Sequence, residues 1–446
     1  MQGSSPERTQ QTFLYQTLSE LLNPKHPLYL LAGEYPWESV EEEFGEYYSE
    51  TGRPAKPVRL MISLLLLKQM YNLGDETVVE EWIQNPYYQY FSGETTFQWQ
   101  FPCEPSDLVH FRKRIGESGV KKLFEYSVRL HGKSGQEKTI VADTTVQEKN
   151  ITYPTDVKLY RKVVLACWRI ADKEVITLRQ RYSRTIRKLF LLQRFRHHPK
   201  NYKKSLRAEK KLKTIAGRLH REIGRKVSPE RLKEYEYQLS ICSKILSQKR
   251  TDTDKLYSLH APEAYCMSKG KEHKQYEFGS KVSLLKTKTH NIIVGALSFA
   301  KNDYDGHTLV PALQQYKDIF GFEPSEVIAD RGYRGKSTIG ATTITIPKPG
   351  SRAMTVSQKR AIRKKFRRRA AIEPSIGHLK SDVGLDRNYL KGTIGDTLNV
   401  MLAATAHNLR QWLRKAKGLF ASFFLSLKIS FRMLFISQTV LTYYLK

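Results

Sequence analysis

At 446 residues the chain is too long for one ordinary core and suits two or three domains. Its 40% hydrophobic and 11% aromatic content supports packed globular structure and excludes wholesale disorder. The 75 Lys and Arg against 44 Asp and Glu give a net charge of +31, which points to polyanionic partners, nucleic acid first, with a merely cationic soluble surface as the bland alternative.

The N-terminus, Met1 to Gln11, is polar and has no apolar signal core. Residues 12–130 read as mostly helical. Pro57 opens a helix with a dense apolar run from Leu60 to Leu67, closed by Tyr71-Asn72-Leu73-Gly74. Asp75 stands where the next helix, Glu76 to Gln84, needs an N-cap, and Asn85-Pro86 stops that helix. Ser106 to Ile115 reads as a short helix with a capping serine, carrying Arg112, Lys113 and Arg114. Short helices with basic ends fit a helix-turn-helix DNA reader, in which Arg112 and Arg114 contact DNA; a helical bundle without a ligand fits equally.

From Lys138 the pattern changes. K-T-I-V-A-D-T-T-V is short, β-branched and bounded by polar residues, as a strand should be. Further strands are expected over Tyr276–Leu285, Asn291–Phe299, Ser325–Asp330 and Thr342–Pro347, with a connecting helix over Thr308–Phe320 and a basic helix over Val356–Lys380. Strands linked by crossover helices imply a mixed α/β sheet. Between the first two strand regions, residues 157–250 carry 28 Lys and Arg against 7 Asp and Glu, a difference of +21. Leu178, Tyr182, Ile186 and Leu189 recur at helical spacing, so this is read as a helical insertion that either contacts DNA or decorates the fold as a solvated hairpin.

The four cysteines, Cys103, Cys167, Cys242 and Cys266, form no C-x-x-C pair and no disulfide framework, which fits a reducing, cytoplasmic setting. Residues 416–446 form an apolar tail. Lys428 and Arg432 interrupt it before ~18 clean apolar residues accumulate, so a packed helix or loose tail is expected there and no membrane partner.

Two aspartates end similar runs, Asp143 in T-I-V-A-D and Asp330 in E-V-I-A-D. Either alone reads as a turn cap. As a pair on neighbouring strands they converge, and hard cations such as Mg2+ take oxygen ligands of this kind. Glu373, in R-R-R-A-A-I-E-P, supplies a third carboxylate; its bland reading is a salt bridge with Arg369 four residues earlier. Pro374 implies a kink or break at Glu373. Three carboxylates with two metal ions can activate a nucleophile and stabilise the leaving oxygen of a phosphodiester. Lys281 and Arg334 flank these motifs and are candidate phosphate contacts, and His307 either caps the connecting helix or lines the site.

The order D-T-T, D-R-G-Y-R-G and R-x3-E-x6-K resembles DDE transposases of the insertion-sequence-five type. Phe366, Arg369, Glu373 and Lys380 match the family's Y-x2-R-x3-E-x6-K with Phe in place of Tyr. K-G-K-E-H-K-Q-Y-E-F-G-S-K-V-S-L at 269–284, Y-D-G-H-T-L at 304–309 and the run from Pro57 to Glu76 are also similar, so the likeness spans about residues 20–415. The resemblance implies an RNase-H-like catalytic domain at 138–415 behind a helical N-terminal DNA-binding domain. It implies catalytic and metal-binding Asp143, Asp330 and Glu373, a Mg2+ or Mn2+ cofactor, and DNA contacts from Arg369 and Lys380. Double-stranded DNA is then the substrate, as terminal inverted repeats and target, with a homodimer on the paired ends and a bacterial, nucleoid-associated location. The alternatives are an inactive DNA-binding derivative, a nuclease without strand transfer, and a basic structural or RNA-binding protein of another class.

Overall fold

The computed structural model describes residues 17–48, 55–268, 274–335, 337–347 and 355–444, with side chains given through 418 except at 368. The polar stretch Met1 to Gln11 and the side chains of the apolar tail from 419 onward lie outside the described residues.

Seven helices come first: α1 (Leu18–Leu21), α2 (Pro27–Glu34), α3 (Trp37–Gly45), α4 (Val58–Met70), α5 (Asp75–Gln84), α6 (Pro86–Phe91) and α7 (Pro105–Arg129). Pro57 caps α4, whose apolar run is buried on nearly every face. Two expected caps differ. Asp75 is the first residue of α5, after Gly74, and its carboxylate instead accepts from Lys68 Nζ at 2.7 Å and from both terminal nitrogens of Arg112 at 2.7 and 2.6 Å. On α7 the cap is Glu104, paired with Asp107, not Ser106. The helix also continues past Ile115: Gly116, at φ 55 and ψ −156, kinks the chain and the helix resumes to Arg129.

Strand β1 (Thr139–Lys149) leads into four helices, α8 (Asp156–Lys173), α9 (Ser183–Leu191), α10 (Pro199–Lys226) and α11 (Pro229–Ser247). These carry their own core, including Val163, Cys167, Leu212, Leu219 and Ile245. Tyr182 takes the left-handed cap position before α9, so the apolar residues at 178 and 182 precede the helix. The chain then returns through β2 (Tyr265–Ser268), β3 (Tyr276–Thr287), β4 (Ile293–Phe299), α12 (Asp305–Phe320), β5 (Glu326–Ile328), β6 (Thr338–Ile339), β7 (Thr342–Thr345), α13 (Val356–Ala370), α14 (Ile372–Asp382), β8 (Arg387–Asn388) and α15 (Gly392–Tyr444).

The sheet is mixed. Its central run is β4-β3-β1-β5-β7, with β3 antiparallel to β1 and β4, and with β5 and β7 parallel to β1; β2 adds to β3, β6 to β7 and β8 to β1. Helix α12 covers β3 and β4 on one side, while α15 packs on β4, α7 and α4. One continuous cluster of buried side chains therefore joins the first seven helices to the sheet, from Leu28 through Phe124, Ile140 and Val294 to Leu409. Among the described residues no helix is long and apolar enough to cross a membrane.

Candidate active site

The parallel register sets Val141 beside Ile328, so Asp143 and Asp330, each two residues further on, reach the same level. Asp143 lies mid-strand: β1 runs on through Thr144 and Thr145 to Lys149 because β3 pairs with it as far as Glu148 and β8 pairs with its last two residues. The opening arises on the other side, where β5 stops at Ile328 and turns into a 3-10 turn at Arg331–Tyr333. Asp330 caps that turn, its Oδ1 accepting from Gly332 N at 2.8 Å. Both sequence readings thus hold for Asp330, which is a turn cap and a neighbour of Asp143.

Glu373 arrives from α14. Pro374 does break the basic helix, but at Ala371, two residues before Glu373. The physical reason is that a proline ring clashes with the carbonyl four residues back, here Ala370, and is accepted within a first helical turn. Helix α13 is docked on the sheet by Lys365, which reaches Glu326. The break is held by Lys286 of β3, whose buried ammonium donates to Ala371 O at 2.7 Å and Ser375 Oγ at 3.2 Å; burial lowers its pKa to about 8.

These placements converge on one side chain. Arg369 Nη2 lies 3.1 Å from Asp143 Oδ2 and 3.6 Å from Asp330 Oδ2, and Nη1 lies 3.6 Å from Glu373 Oε1. Its Nε is buried without a partner. The guanidinium, read from sequence as a DNA contact, is thus turned inward against three acids, and the salt bridge to Glu373 is present as well. Burial raises Asp143's carboxyl to about 6, against the lowering effects of Arg369 and the Thr144 N–H. Glu373 is 65% exposed. Among the described residues no three acidic, His or Cys side chains stand close enough together to hold a metal ion as they lie.

A fourth acid was not singled out from sequence. Asp305, in the first turn of α12, accepts from Thr144 Oγ1 at 2.9 Å and pairs with Lys281 Nζ at 2.6 Å. A Cβ on Gly332 would lie 2.5 Å from Asp305 Oδ2 and 2.9 Å from Asp330 Oδ1, so a side chain at this glycine of D-R-G-Y would have to push both carboxylates aside. Tyr333, of the same motif, is buried, 2% exposed. Burial and then the charges of Asp143, Asp305 and Asp330 raise its pKa well above the usual value. The Y-D-G-H-T-L stretch at the strand-to-helix junction was the signal available for Asp305.

The remaining predicted contacts divide. Lys281 is buried, 7% exposed, and pairs with Asp305 and the Asp303 carbonyl. Arg112 is likewise buried, 4% exposed, with Asp75 occupying its guanidinium, and so ties α7 to α5. Arg114 is exposed and lies over the Tyr48 ring at 4.6 Å. Arg334 is exposed beside the turn that Asp330 caps. Lys380 is half-buried on α14, two turns beyond Glu373. His307 is exposed against Tyr304, which holds the cap position of α12.

Residues 16–114 match the family described as Transposase domain (DUF772), and residues 243–409 match Transposase DDE domain. A Rhizobium meliloti protein described as "Uncharacterized protein ORF8 in nfe locus" is 37% identical over 207 residues, which is 45% of this chain and 100% of that protein. No solved structure matches the chain.

Proposed function

Because the chain belongs to the insertion-sequence transposases that carry a DDE domain, we propose that it binds the terminal inverted repeats of its own element, hydrolyses phosphodiester bonds at the ends and joins them to target DNA. The observation that carries this reading is the gathering of Asp143, Asp330 and Glu373, far apart in sequence, around one cationic group. The sheet order β4-β3-β1-β5-β7 supports an RNase-H-like core, and the Arg369, Glu373 and Lys380 spacing supports the insertion-sequence-five type.

The donor set fits a hard divalent cation. Asp143 and Asp330 offer carboxylate oxygens that already face a common positive charge, and Glu373 reaches the same place by rotation of an exposed side chain. These three residues would hold Mg2+ or Mn2+, which supplies activation of the attacking oxygen and stabilisation of the leaving one. The chain's own residues do the rest. Lys281 and Thr144 fix Asp305 behind Gly332, so that the loop carrying Asp330 has one position. Arg369 keeps Asp143 and Asp330 from repelling each other apart. Arg334 and Lys380 contact phosphates on either side of the scissile bond, and Arg114 contacts DNA from the N-terminal helices. A homodimer holds the two ends together.

Incubation of the purified protein with Mg2+ and a duplex carrying the element's two ends tests this. Cutting at the end junctions by wild type, abolished in Asp143→Asn and Asp330→Asn, is the expected result. Cutting that survives either substitution contradicts the catalytic assignment. End binding without any cutting by folded wild type reduces the protein to an inactive DNA binder.

A further inference from the structure

Helix α10 is 28 residues long and has two unlike faces. Ser205, Ala208, Leu212, Ile215, Ala216, Leu219 and Ile223 are buried against the other helices of the same four-helix unit. On the opposite face, Lys203, Arg207, Lys210, Arg218, Arg221 and Arg225 recur three, four and eight residues apart and are all exposed. At 100° per residue they fall in one stripe, interrupted only by Thr214.

No acid lies in that stripe, and none of the six has an ion pair among the described residues. The acids nearby are satisfied elsewhere: Glu209 pairs with Arg196 at 2.6 Å, Glu222 with Lys226 at 2.7 Å, Glu174 with Arg231 at 2.8 Å and Asp172 with Arg181 at 2.9 Å. Solubility does not need this arrangement, since scattered charge serves it as well. A straight row of uncompensated cations, on a helix stiffened by its own core, has a repulsive self-energy that a polyanion of similar pitch removes. From Lys203 to Arg225 the row runs about 33 Å, close to the length of one turn of B-form DNA.

We propose that this face of α10 is a docking surface for duplex DNA, which it holds through the phosphate backbone without reading bases, alongside the DNA engaged at the acid cluster. The inference rests on the transposase reading above and adds a named surface to it. Duplex DNA is favoured over single-stranded nucleic acid because the six cations share one helix face with no aromatic side chain among them; Tyr202, exposed on the same helix, lies off that face.

The test is anisotropy of a labelled duplex of arbitrary sequence, about thirty base pairs long, titrated with the full-length protein at several salt concentrations. Replacing Lys203, Arg207, Arg218 and Arg221 together by Gln should lower the steepness of log K against log salt by roughly 3 to 4, since each lost phosphate contact removes about 0.9. Affinity at low salt should fall at least tenfold. The charge-conserving set Lys203→Arg, Arg207→Lys, Arg218→Lys and Arg221→Lys should keep the wild-type slope, which separates charge from misfolding. An unchanged slope in the Gln variant, with wild type binding normally, overturns this proposal and leaves the proposed function standing. A slope that falls only on a single-stranded RNA of the same length overturns the assignment to duplex DNA. Failure of wild type to bind any duplex overturns both.

Discussion

Asp143 sits where a carboxylate is costly. Burial outweighs the help of Arg369 and the Thr144 N–H, so its pKa stands at about 6 against an ordinary 3.8. The folded chain therefore holds this proton more tightly than the unfolded chain does. Stability from this group is full below the ordinary value and is lost as pH rises to about 6. Above that, an ionised Asp143 costs about 2–3 kcal/mol, at 1.36 kcal/mol per pH unit with some relief from solvent. Asp143→Asn cannot ionise, so chelator-treated variant should exceed wild type in stability by about that amount at pH 8 and by little at pH 4. Denaturant titration at the two pH values measures it, and an equal gain at both contradicts the burial argument. A group held at such a cost is a functional-site candidate on physical grounds alone.

At the scale of elements, the placing of Glu373 in the proposed site depends on one junction. The α13–α14 break puts Arg369 on one helix and Glu373 on the next, and Lys286 from the sheet ties that junction down. Lys286→Met leaves the Ala371 carbonyl without this donor. It should cost about 1–3 kcal/mol in denaturant titrations and reduce cleavage at least tenfold as Glu373 drifts. Unchanged cleavage at a measurable loss of stability would detach the junction from catalysis.

Sequence pattern revealed β1, β3, β4, β5 and α12, because their apolar runs are long or bounded by clear turn residues. It missed β2, β6 and β8, which have two to four residues and exist only by pairing with longer strands. It ended β1 near Val146 where the strand reaches Lys149, since a strand's length is set by its partner and not by its own composition. That Asp143, Asp330 and Glu373 come near one another was legible from motif order. Asp305 was not, because its meaning comes from Thr144 and Lys281 across the sheet. Nor was the inward turn of Lys281, Arg112 and Arg369, since cations read from sequence look solvated until a buried acid is found for them.

For the whole molecule, the sheet is fastened to α15 through a buried polar network. Lys149, at the end of β1, pairs with Asp396 at 2.8 Å and Glu263 at 3.0 Å and donates to the carbonyls of Leu390 and Gly392. Gln147, also on β1, accepts from Asn399 Nδ2 at 2.7 Å. Removing one partner of a buried pair strands the other, so Lys149→Met should lose about 3–5 kcal/mol, read as a fall in denaturant midpoint. A loss under about 1 kcal/mol would mean the network is solvated. This fastening, with the shared apolar core, makes the first seven helices and the sheet one body, while α8–α11 form a second core rich in cations.

In the proposed mechanism Asp143, Asp330 and Glu373 hold one divalent ion. Calorimetric titration of the metal-free protein with Mn2+ tests it without requiring the DNA substrate. Wild type should bind saturably, and each of Asp143→Asn, Asp330→Asn and Glu373→Gln, confirmed folded, should weaken binding at least tenfold. Saturable binding unaffected by any one of the three substitutions would remove that residue from the site and contradict the account.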